Sequence, residues 1–425
     1  MRRPFQPNPY FLAILMGCLA LAIYLKNGRV VSTVGFQDTE PAHLLAISVV
    51  TEGNLYLDEF VDAQGVLPLG TTWRGGHVVS NYPIVPALLN VPVYAAARSL
   101  GMDLYAQRYW LSLITAATIA ALSVTFMVLV LSLMCQRWTS VVLGGLIYTL
   151  GTPVWSVASQ GLWQHGPSLL FITAAFWFLL KNPPRWIPLA GFFLGMAVFN
   201  RPPNALLAAA LAIYVWRVYR ASFVKFALLG ALPLISMAVY SATALGSIFA
   251  LGQTQDVSLF TGDVFSGLPG LLISPSRGLF IFSPVMIFAA GYVVYALFSR
   301  RVTPFLKYLA VSTLLLVLVY AFWYQWWGGA SFSYRLLIET LPMLTIFLAL
   351  CWEQVIAPRW YLQVLFWPAV LVSFYTHYLG AYYYPCGFNN LPQHINVQTW
   401  RLWDWQDSEL TRCTRSLLEV LRIVH

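Results

Sequence analysis

Charged residues are scarce in this chain of 425 residues. Asp, Glu, Lys and Arg make up 9% of it, whereas water-soluble proteins carry about a quarter, and 59% of the residues are hydrophobic. No polar stretch is long enough to hold a soluble domain, because the charge-bearing segments are residues 27–108 and 380–425. The composition therefore predicts a membrane protein with two polar appendages.

Cysteines are also few, and their spacing does not match a metal site. Cys18, Cys135 and Cys351 lie inside apolar runs, whereas Cys386 and Cys413 lie in the polar C-terminal tail, residues 381–425. If the tail lies in an oxidising compartment, this last pair could form a disulfide; otherwise both remain free thiols.

Basic residues exceed acidic ones, 24 to 15, yet they do not form a basic face. They are scattered in ones to threes between apolar runs, which is unlike the clustered cations of nucleic-acid-binding proteins. We therefore expect no nucleic-acid partner and attribute the excess to membrane orientation.

Apolar runs predict eleven membrane-spanning helices. The runs are residues 10–26, 109–134, 139–157, 165–180, 186–199, 203–216, 226–246, 279–298, 305–324, 336–352 and 360–379. Residues 82–97 are also apolar, but Pro83, Pro86 and Pro92 would cost an isolated straight helix several backbone hydrogen bonds. We predict that this segment is interfacial or re-entrant.

The basic residues of the short turns support eleven spans. With that topology the N-terminus and ten basic turn residues are cytoplasmic; these ten are Arg137, Lys181, Arg185, Arg217, Arg220, Lys225, Arg300, Arg301, Lys307 and Arg359. A twelfth span at 82–97 would place all ten outside. The predicted plan is a transmembrane domain over residues 1–380, with a long first outer loop at 27–108, followed by a short outer tail at 381–425.

Two carboxylates, Asp38 and Glu40, stand one residue apart in this first outer loop. Apolar residues at helical spacing follow them, which predicts a helix over 41–52 lying on the membrane surface. One interpretation is that Asp38 or Thr39 merely caps this helix. The other is that the carboxylates present a general base, or a base and a metal ligand, to a substrate arriving from outside.

Four cationic or ionisable residues are predicted on the same side of the membrane. His165 begins a span, and Arg201 joins two apolar helices too short to cross about 30 Å of hydrocarbon untilted, so Arg201 should lie in a cavity. Arg277 and Arg335 lie in turns rich in Ser, Pro, Gly and Trp, which alone would be ordinary membrane-boundary loops. Together with a carboxylate base, these cations suit transfer from a phosphate leaving group.

Six short motifs follow one another along the chain. They are Asp-x-Glu at 38–40, Asn-Tyr-Pro-Ile-Val-Pro-Ala-Leu-Leu at 81–89, Trp-Gln-His-Gly-Pro at 163–167, Asn-Arg-Pro-Pro-Asn at 200–204, Ser-Arg-Gly-Leu-Phe at 276–280 and Trp-Trp-Gly-Gly at 326–329, which leads to Arg335. In this order, from residue 10 to about 380, the chain resembles bacterial membrane glycosyltransferases of the GT-C superfamily. The relatives meant are the protein O-mannosyltransferase and aminoarabinose-transferase group, many of which carry a large C-terminal soluble domain that is missing here.

The resemblance implies an all-α polytopic fold and an enzyme of the bacterial inner membrane. The enzyme would move a sugar from a polyprenyl-phosphate donor to a lipid, glycan or protein acceptor at the periplasmic face. The roles implied are base for Asp38 with Glu40 as its partner, donor-phosphate binding for Arg335, Arg201, Arg277 and His165, and substrate contact for Tyr82, Trp163, Gln164 and Trp327. No divalent metal is required in such enzymes, although Asp38 and Glu40 could hold one.

Two other functions are compatible with a polytopic chain. A transporter or lipid flippase predicts internal repeats and charges near the bilayer midplane. The halves of this chain show no convincing repeat, and the ionisable groups gather at one face, which favours an enzyme. A non-catalytic assembly subunit would not need Asp38.

Overall fold

The computed structural model of the protein describes residues 8–26, 38–181, 184–248 and 257–421, and this part of the chain is predominantly helical. Its α-helices are α1 (Pro9–Leu25), α2 (Glu40–Thr51), α3 (Val85–Ser99), α4 (Arg108–Met134), α5 (Trp138–Leu150), α6 (His165–Leu180), α7 (Ile187–Asn200), α8 (Ala205–Val218), α9 (Arg220–Ala244), α10 (Val264–Ile273), α11 (Leu279–Phe282), α12 (Met286–Phe298), α13 (Pro304–Ala321), α14 (Leu341–Cys351), α15 (Trp360–Tyr383) and α16 (Glu409–Val420). Short 3-10 helices cover Asp58–Phe60, Pro184–Trp186, Pro202–Asn204, Val257–Phe260, Arg335–Thr340 and Thr399–Trp403, and π-helices cover Val154–Ala158 and Trp352–Ile356.

Five helical stretches are long and apolar enough to cross a membrane. They are α4, α9, α13, α15 and the continuous stretch Arg335–Ile356, which contains α14. Shorter apolar helices include α1, α5, α6, α10 and α12. Each of the eleven predicted runs overlaps a helix, so the multi-pass membrane character stands, while the number of crossings stays a prediction.

Two of the predicted spans are interrupted where proline follows a hydroxyl residue. The run 139–157 divides into α5 and a π-helix at Thr152-Pro153, and the run 279–298 divides into α11 and α12 at Ser283-Pro284. Proline has no backbone N–H and its ring clashes with the preceding turn, which weakens the α-helix at these two points, although α3 continues through Pro92.

The first loop contains a β-hairpin that the sequence reading did not predict. Strand β1 (Thr71–Arg74) pairs antiparallel with β2 (His77–Ser80), with Thr71 opposite Ser80. The turn is Gly75-Gly76, and both glycines have positive φ, as two-residue hairpin turns require. The hairpin delivers Tyr82 two residues beyond β2.

Helices α2 and α3 occupy the predicted segments 41–52 and 82–97. Residues 41–48 of α2 are all buried, and the helix packs against α3 and α4. Most of the helix is thus enclosed by protein, and its expected position at the membrane surface stays a prediction. Helix α3 covers its other face and forms despite Pro92 in its interior.

Four helix ends meet at one end of the bundle. They are the start of α6, the end of α7, the end of α13 and the start of Arg335–Ile356. At the far end of this last stretch, Glu353 accepts hydrogen bonds from the backbone N–H groups of Gln136 and Arg137, each at 3.0 Å. Twenty-two helical residues separate the two ends by about 33 Å, close to the thickness of a bilayer core.

The C-terminal tail is folded rather than extended. A disulfide joins Cys386 to Cys413, and α16 packs against α15. Of the two alternatives for these cysteines, the structure has the bonded one.

Candidate functional site

A cavity of about 510 Å³ lies where the four helix ends meet. Seven residues predicted for the site line it: Asp38, Tyr82, Trp163, Gln164, His165, Arg201 and Arg335. They come from five separate stretches of the sequence, so the fold brings together what the motif order suggested. The remaining lining includes Leu259, Phe260, Trp323, Tyr324, His394 and Asn396, which sequence reasoning did not single out.

Asp38 and Arg335 form an ion pair in this cavity. Arg335 Nη1 donates to Asp38 Oδ2 at 2.5 Å, and the hydroxyl of Tyr82 donates to Asp38 Oδ1 at 2.7 Å. The Asp38 side chain remains 30% exposed, against 15% for Arg335. Since the carboxylate is held by two partners inside the cavity, helix capping is not its role.

Two opposing effects set the pKa of the Asp38 carboxyl. Burial raises it, but the charge of Arg335 and the hydrogen bond from Tyr82 outweigh burial, so the pKa lies below its usual value. Burial and the neighbouring Asp38 charge conversely raise the pKa of the Tyr82 phenol. Asp38 is therefore ionised, and Tyr82 is a hydrogen-bond donor.

Arg335 is oriented by the turn that precedes it. Gly328 and Gly329 have φ of 71° and 70°, a conformation that other residues rarely adopt, and Arg335 Nη2 donates to the carbonyl of Gly328 at 2.6 Å. The guanidinium lies over the ring of Trp163, 4.8 Å from its centroid. Among the described residues Arg335 Nε has no hydrogen-bond partner, and the atom itself is buried.

A second, deeper network joins Arg201, His165 and Glu339. Glu339 Oε1 lies 2.8 Å from His165 Nδ1 and 3.2 Å from Arg201 Nη1, while Arg201 Nε donates to the hydroxyl of Tyr320 at 2.9 Å. Arg201 Nη1 also lies 2.6 Å from Nδ1 and 3.0 Å from Nε2 of the His165 ring, so the three side chains share one network. The Glu339 carboxylate thus balances the charge of a buried arginine.

Sequence reasoning missed Glu339, although a signal was present. It is a carboxylate within the apolar run 336–352, and ionisable groups inside membrane-spanning helices are functional candidates by default. The residue is only 1% exposed. Glu339 contacts Arg201 and His165, and these two residues line the cavity.

Three predicted site residues do not line the cavity. Glu40 is bound by Arg108 Nε at 3.2 Å and by the hydroxyl of Tyr109 at 3.3 Å, so it points to a different set of partners from Asp38. Trp327 donates from Nε1 to Asn396 at 2.9 Å and thereby supports a lining residue. The third is Arg277.

Arg277 anchors the C-terminal tail. It is 1% exposed and lies 2.9 Å from Glu409 and 2.6 Å from the amide oxygen of Asn389, both in the tail. Burial raises the pKa of the Glu409 carboxyl to about 7, and the nearby Arg277 only partly offsets this effect. Arg277 thus binds the tail and the neighbouring turn and does not line the cavity.

The two carboxylates of the first loop do not form a joint metal site, since each faces a different arginine. Within the described ranges, no three residues of the types His, Cys, Asp and Glu are grouped closely enough to hold a metal ion.

In comparisons with known proteins, neither a family model nor a curated sequence matches this chain.

Proposed function

We propose that this protein is a membrane glycosyltransferase that moves a sugar from a polyprenyl-phosphate donor to a hydroxyl acceptor. The observation that carries the proposal is the cavity itself: a carboxylate, Asp38, is paired with Arg335 beside a second cation, Arg201. Sugar transfer from a phosphate needs these two kinds of group side by side. One takes a proton, and the other binds the departing phosphate.

In the proposed step, the acceptor oxygen attacks the anomeric carbon of the donor. A new glycosidic C–O bond forms, the bond from the anomeric carbon to the phosphate oxygen breaks, and polyprenyl phosphate leaves with the electron pair. Asp38 accepts the proton of the acceptor hydroxyl, while Arg335 and Arg201 stabilise the negative charge on the leaving phosphate. Atoms and charge balance without any further reactant.

The pairing of Asp38 with Arg335 provides a way to activate the base. A donor phosphate that draws Arg335 to itself removes the largest influence that lowers the pKa of Asp38. Burial, which raises that pKa, then dominates, and the carboxylate becomes a stronger base. Donor binding would thus prepare the base that the reaction needs.

Glu339 serves as a positioning residue in this proposal. Its contacts with His165 and Arg201 hold the guanidinium at the cavity wall. Its negative charge offsets the desolvation free energy of burying that cation. The apolar lining residues Leu259, Phe260 and Trp323 suit the first isoprene units of the carrier lipid.

The proposed setting is the bacterial inner membrane, with the cavity at the periplasmic face and the N-terminus in the cytoplasm. The Cys386–Cys413 disulfide supports this orientation for the tail, because disulfides persist in oxidising compartments. The basic residue Arg137 lies at the opposite end of Arg335–Ile356, as expected for a cytoplasmic turn. A divalent metal is not needed for the proposed step.

The test replaces Asp38 by Asn and measures sugar transfer from a radiolabelled polyprenyl-phosphate sugar in reconstituted vesicles. Loss of the base should lower the transfer rate by about 10²–10⁴-fold. The matched control is Glu52→Gln, which removes an exposed carboxylate at the end of α2 and should leave transfer unchanged.

Unchanged transfer by Asp38→Asn would remove the base assignment. If the intact protein transfers no sugar but moves the labelled lipid between leaflets, the function is that of a flippase instead.

A further inference from the structure

The C-terminal tail contributes two side chains to the cavity, His394 and Asn396. Neither belongs to the motifs that run from the first loop to Arg335. They lie on one turn of chain beyond the last long helix, α15, and they face the same space as Asp38 and Arg335. The tail is thus a wall of the cavity as well as a cover for the bundle.

The contacts of these two residues determine which polar atoms they offer. His394 Nδ1 accepts a hydrogen bond from the backbone N–H of Asn396 at 3.2 Å, which places the proton of the neutral ring on Nε2. The amide oxygen of Asn396 accepts from Trp327 Nε1 at 2.9 Å, which leaves its NH₂ group available. Both residues therefore present an N–H donor.

A frame of buried contacts holds this segment in place. Between the two residues, Ile395 is fully buried, and its N–H donates to the carbonyl of Asn389 at 2.8 Å. The side chain of Asn389 in turn bonds to Arg277 and Glu409. Since fixed donors lose less entropy on binding than mobile ones, the segment is preorganised for recognition.

The two parts of the cavity wall offer different groups. The arginines that suit a phosphate, Arg335 and Arg201, come from the helical bundle, and the tail supplies an imidazole and an amide, whose N–H groups can bind hydroxyl oxygens. Aromatic rings of Trp323 and Tyr324 line the same cavity, and such amphipathic rings pack well against groups that have both apolar and polar faces.

We propose that His394 and Asn396 bind the hydroxyl groups of the donor sugar and so determine which sugar the protein accepts. The inference rests on the proposed function and adds to it a specificity role for the tail. Arg335 and Arg201 of the helical bundle would bind the phosphate, and the tail would bind the sugar.

The test compares binding of bare polyprenyl phosphate with binding of polyprenyl phosphate linked to glucose, mannose or arabinose. Purified full-length protein is titrated with each lipid in detergent, and the complexes are quantified by native mass spectrometry. The wild type should prefer at least one sugar-bearing lipid over the bare carrier. His394→Ala and Asn396→Ala should each reduce that preference about tenfold, the effect of one lost hydrogen bond, with bare-carrier binding unchanged.

Two further variants act as controls. Asn390→Ala alters an exposed residue of the same tail that does not line the cavity, so the preference should persist. His394→Gln keeps an N–H donor and should retain part of the preference. Intact melting temperatures show that each variant is folded.

The outcomes separate the inference from the function on which it rests. If the wild type binds none of these lipids, the proposed function fails. If it binds the bare and sugar-bearing carriers equally, or if the alanine variants keep the full preference, the specificity role is wrong while the phosphate site stands.

Discussion

Two arginine–carboxylate pairs bind the same turn, residues 327–329, but differ in their exposure to the cavity. Arg335 donates to the carbonyl of Gly328, whereas Arg277 donates to the carbonyls on either side, those of Trp327 and Gly329. The partner of Arg335 is Asp38, 30% exposed in the cavity, whereas the partner of Arg277 is Glu409, which is fully buried. One pair is open to a ligand, and the other is closed.

This difference is why we propose a functional role for Arg335 and a structural one for Arg277. Both residues follow turns of similar composition, and both are paired with a carboxylate. Arg335 lines the cavity with a partly exposed carboxylate beside it, while Arg277 binds the turn 327–329, Ser276 and the tail and does not line the cavity. Exposure of the carboxylate partner to the cavity therefore distinguishes the two pairs.

Of the two arginines, Arg335 should have the larger effect on activity when it is replaced, as in Arg335→Met. This variant removes the nearest phosphate ligand, and kcat/KM for sugar transfer should fall about 10²–10³-fold. The melting temperature should change little, because Asp38 is partly exposed and can be hydrated. Activity within tenfold of the wild type would contradict the assignment of Arg335.

The comparison predicts the reverse pattern for Arg277→Met. Several buried hydrogen bonds are lost and Glu409 loses its cation, which should cost about 3–5 kcal/mol of folding free energy. The loss is measured by thermal unfolding, with protease cleavage of the tail as the signal. An unchanged unfolding temperature would show that the tail is held by other contacts.

The closed pair should also make stability depend on pH. The pKa of Glu409 is about 7 in the fold, against about 4.5 for an ordinary carboxyl, so the folded state binds a proton that the unfolded state has released. Stability should therefore fall as pH rises from 5 through 7. Melting temperatures of the wild type and of Glu409→Gln over this range test the effect, which the variant should lack. A wild-type melting temperature that does not change between pH 5 and 7 would contradict the raised pKa of Glu409.

The pair of Asp38 and Arg335 should make stability depend on pH in the opposite direction. The pKa of Asp38 is lowered, so its contribution to stability is present above pH 4 and is lost only in stronger acid.

The smallest effect is expected from Glu40→Gln. Glu40 binds Arg108 and Tyr109 outside the cavity, so transfer should stay within about threefold of the wild type, and the partly exposed ion pair should contribute about 1 kcal/mol. A loss of transfer as large as that of Asp38→Asn would restore Glu40 as the catalytic partner that the sequence predicted.

The positions of most helices follow from the lengths of the apolar runs. The breaks at Pro153 and Pro284 and the hairpin around Gly75-Gly76 carried local signals, proline and a diglycine turn, that could have been used. The burial of α2 could not be predicted in this way, because it depends on the packing of α3 over it.

For the site, the sequence predicted a convergence of Asp38, His165, Arg201 and Arg335, and the fold places all four at one cavity. It could not separate Arg277 from this group, because its partner Glu409 lies far along the chain in a tail with no recognisable motif. His394 and Asn396 could not be predicted for the same reason. Their position at the cavity depends on contacts between distant parts of the chain and not on a local sequence pattern.

The turn 327–329 links the cavity to the C-terminal tail. Its three consecutive carbonyl oxygens bind two arginines in alternation, so each guanidinium holds a peptide next to one that the other holds. Under the proposed function, a donor phosphate that displaced Arg335 would disturb the turn on which the tail is anchored. Linkage would then require docking of the tail to change the affinity for the donor by the same factor.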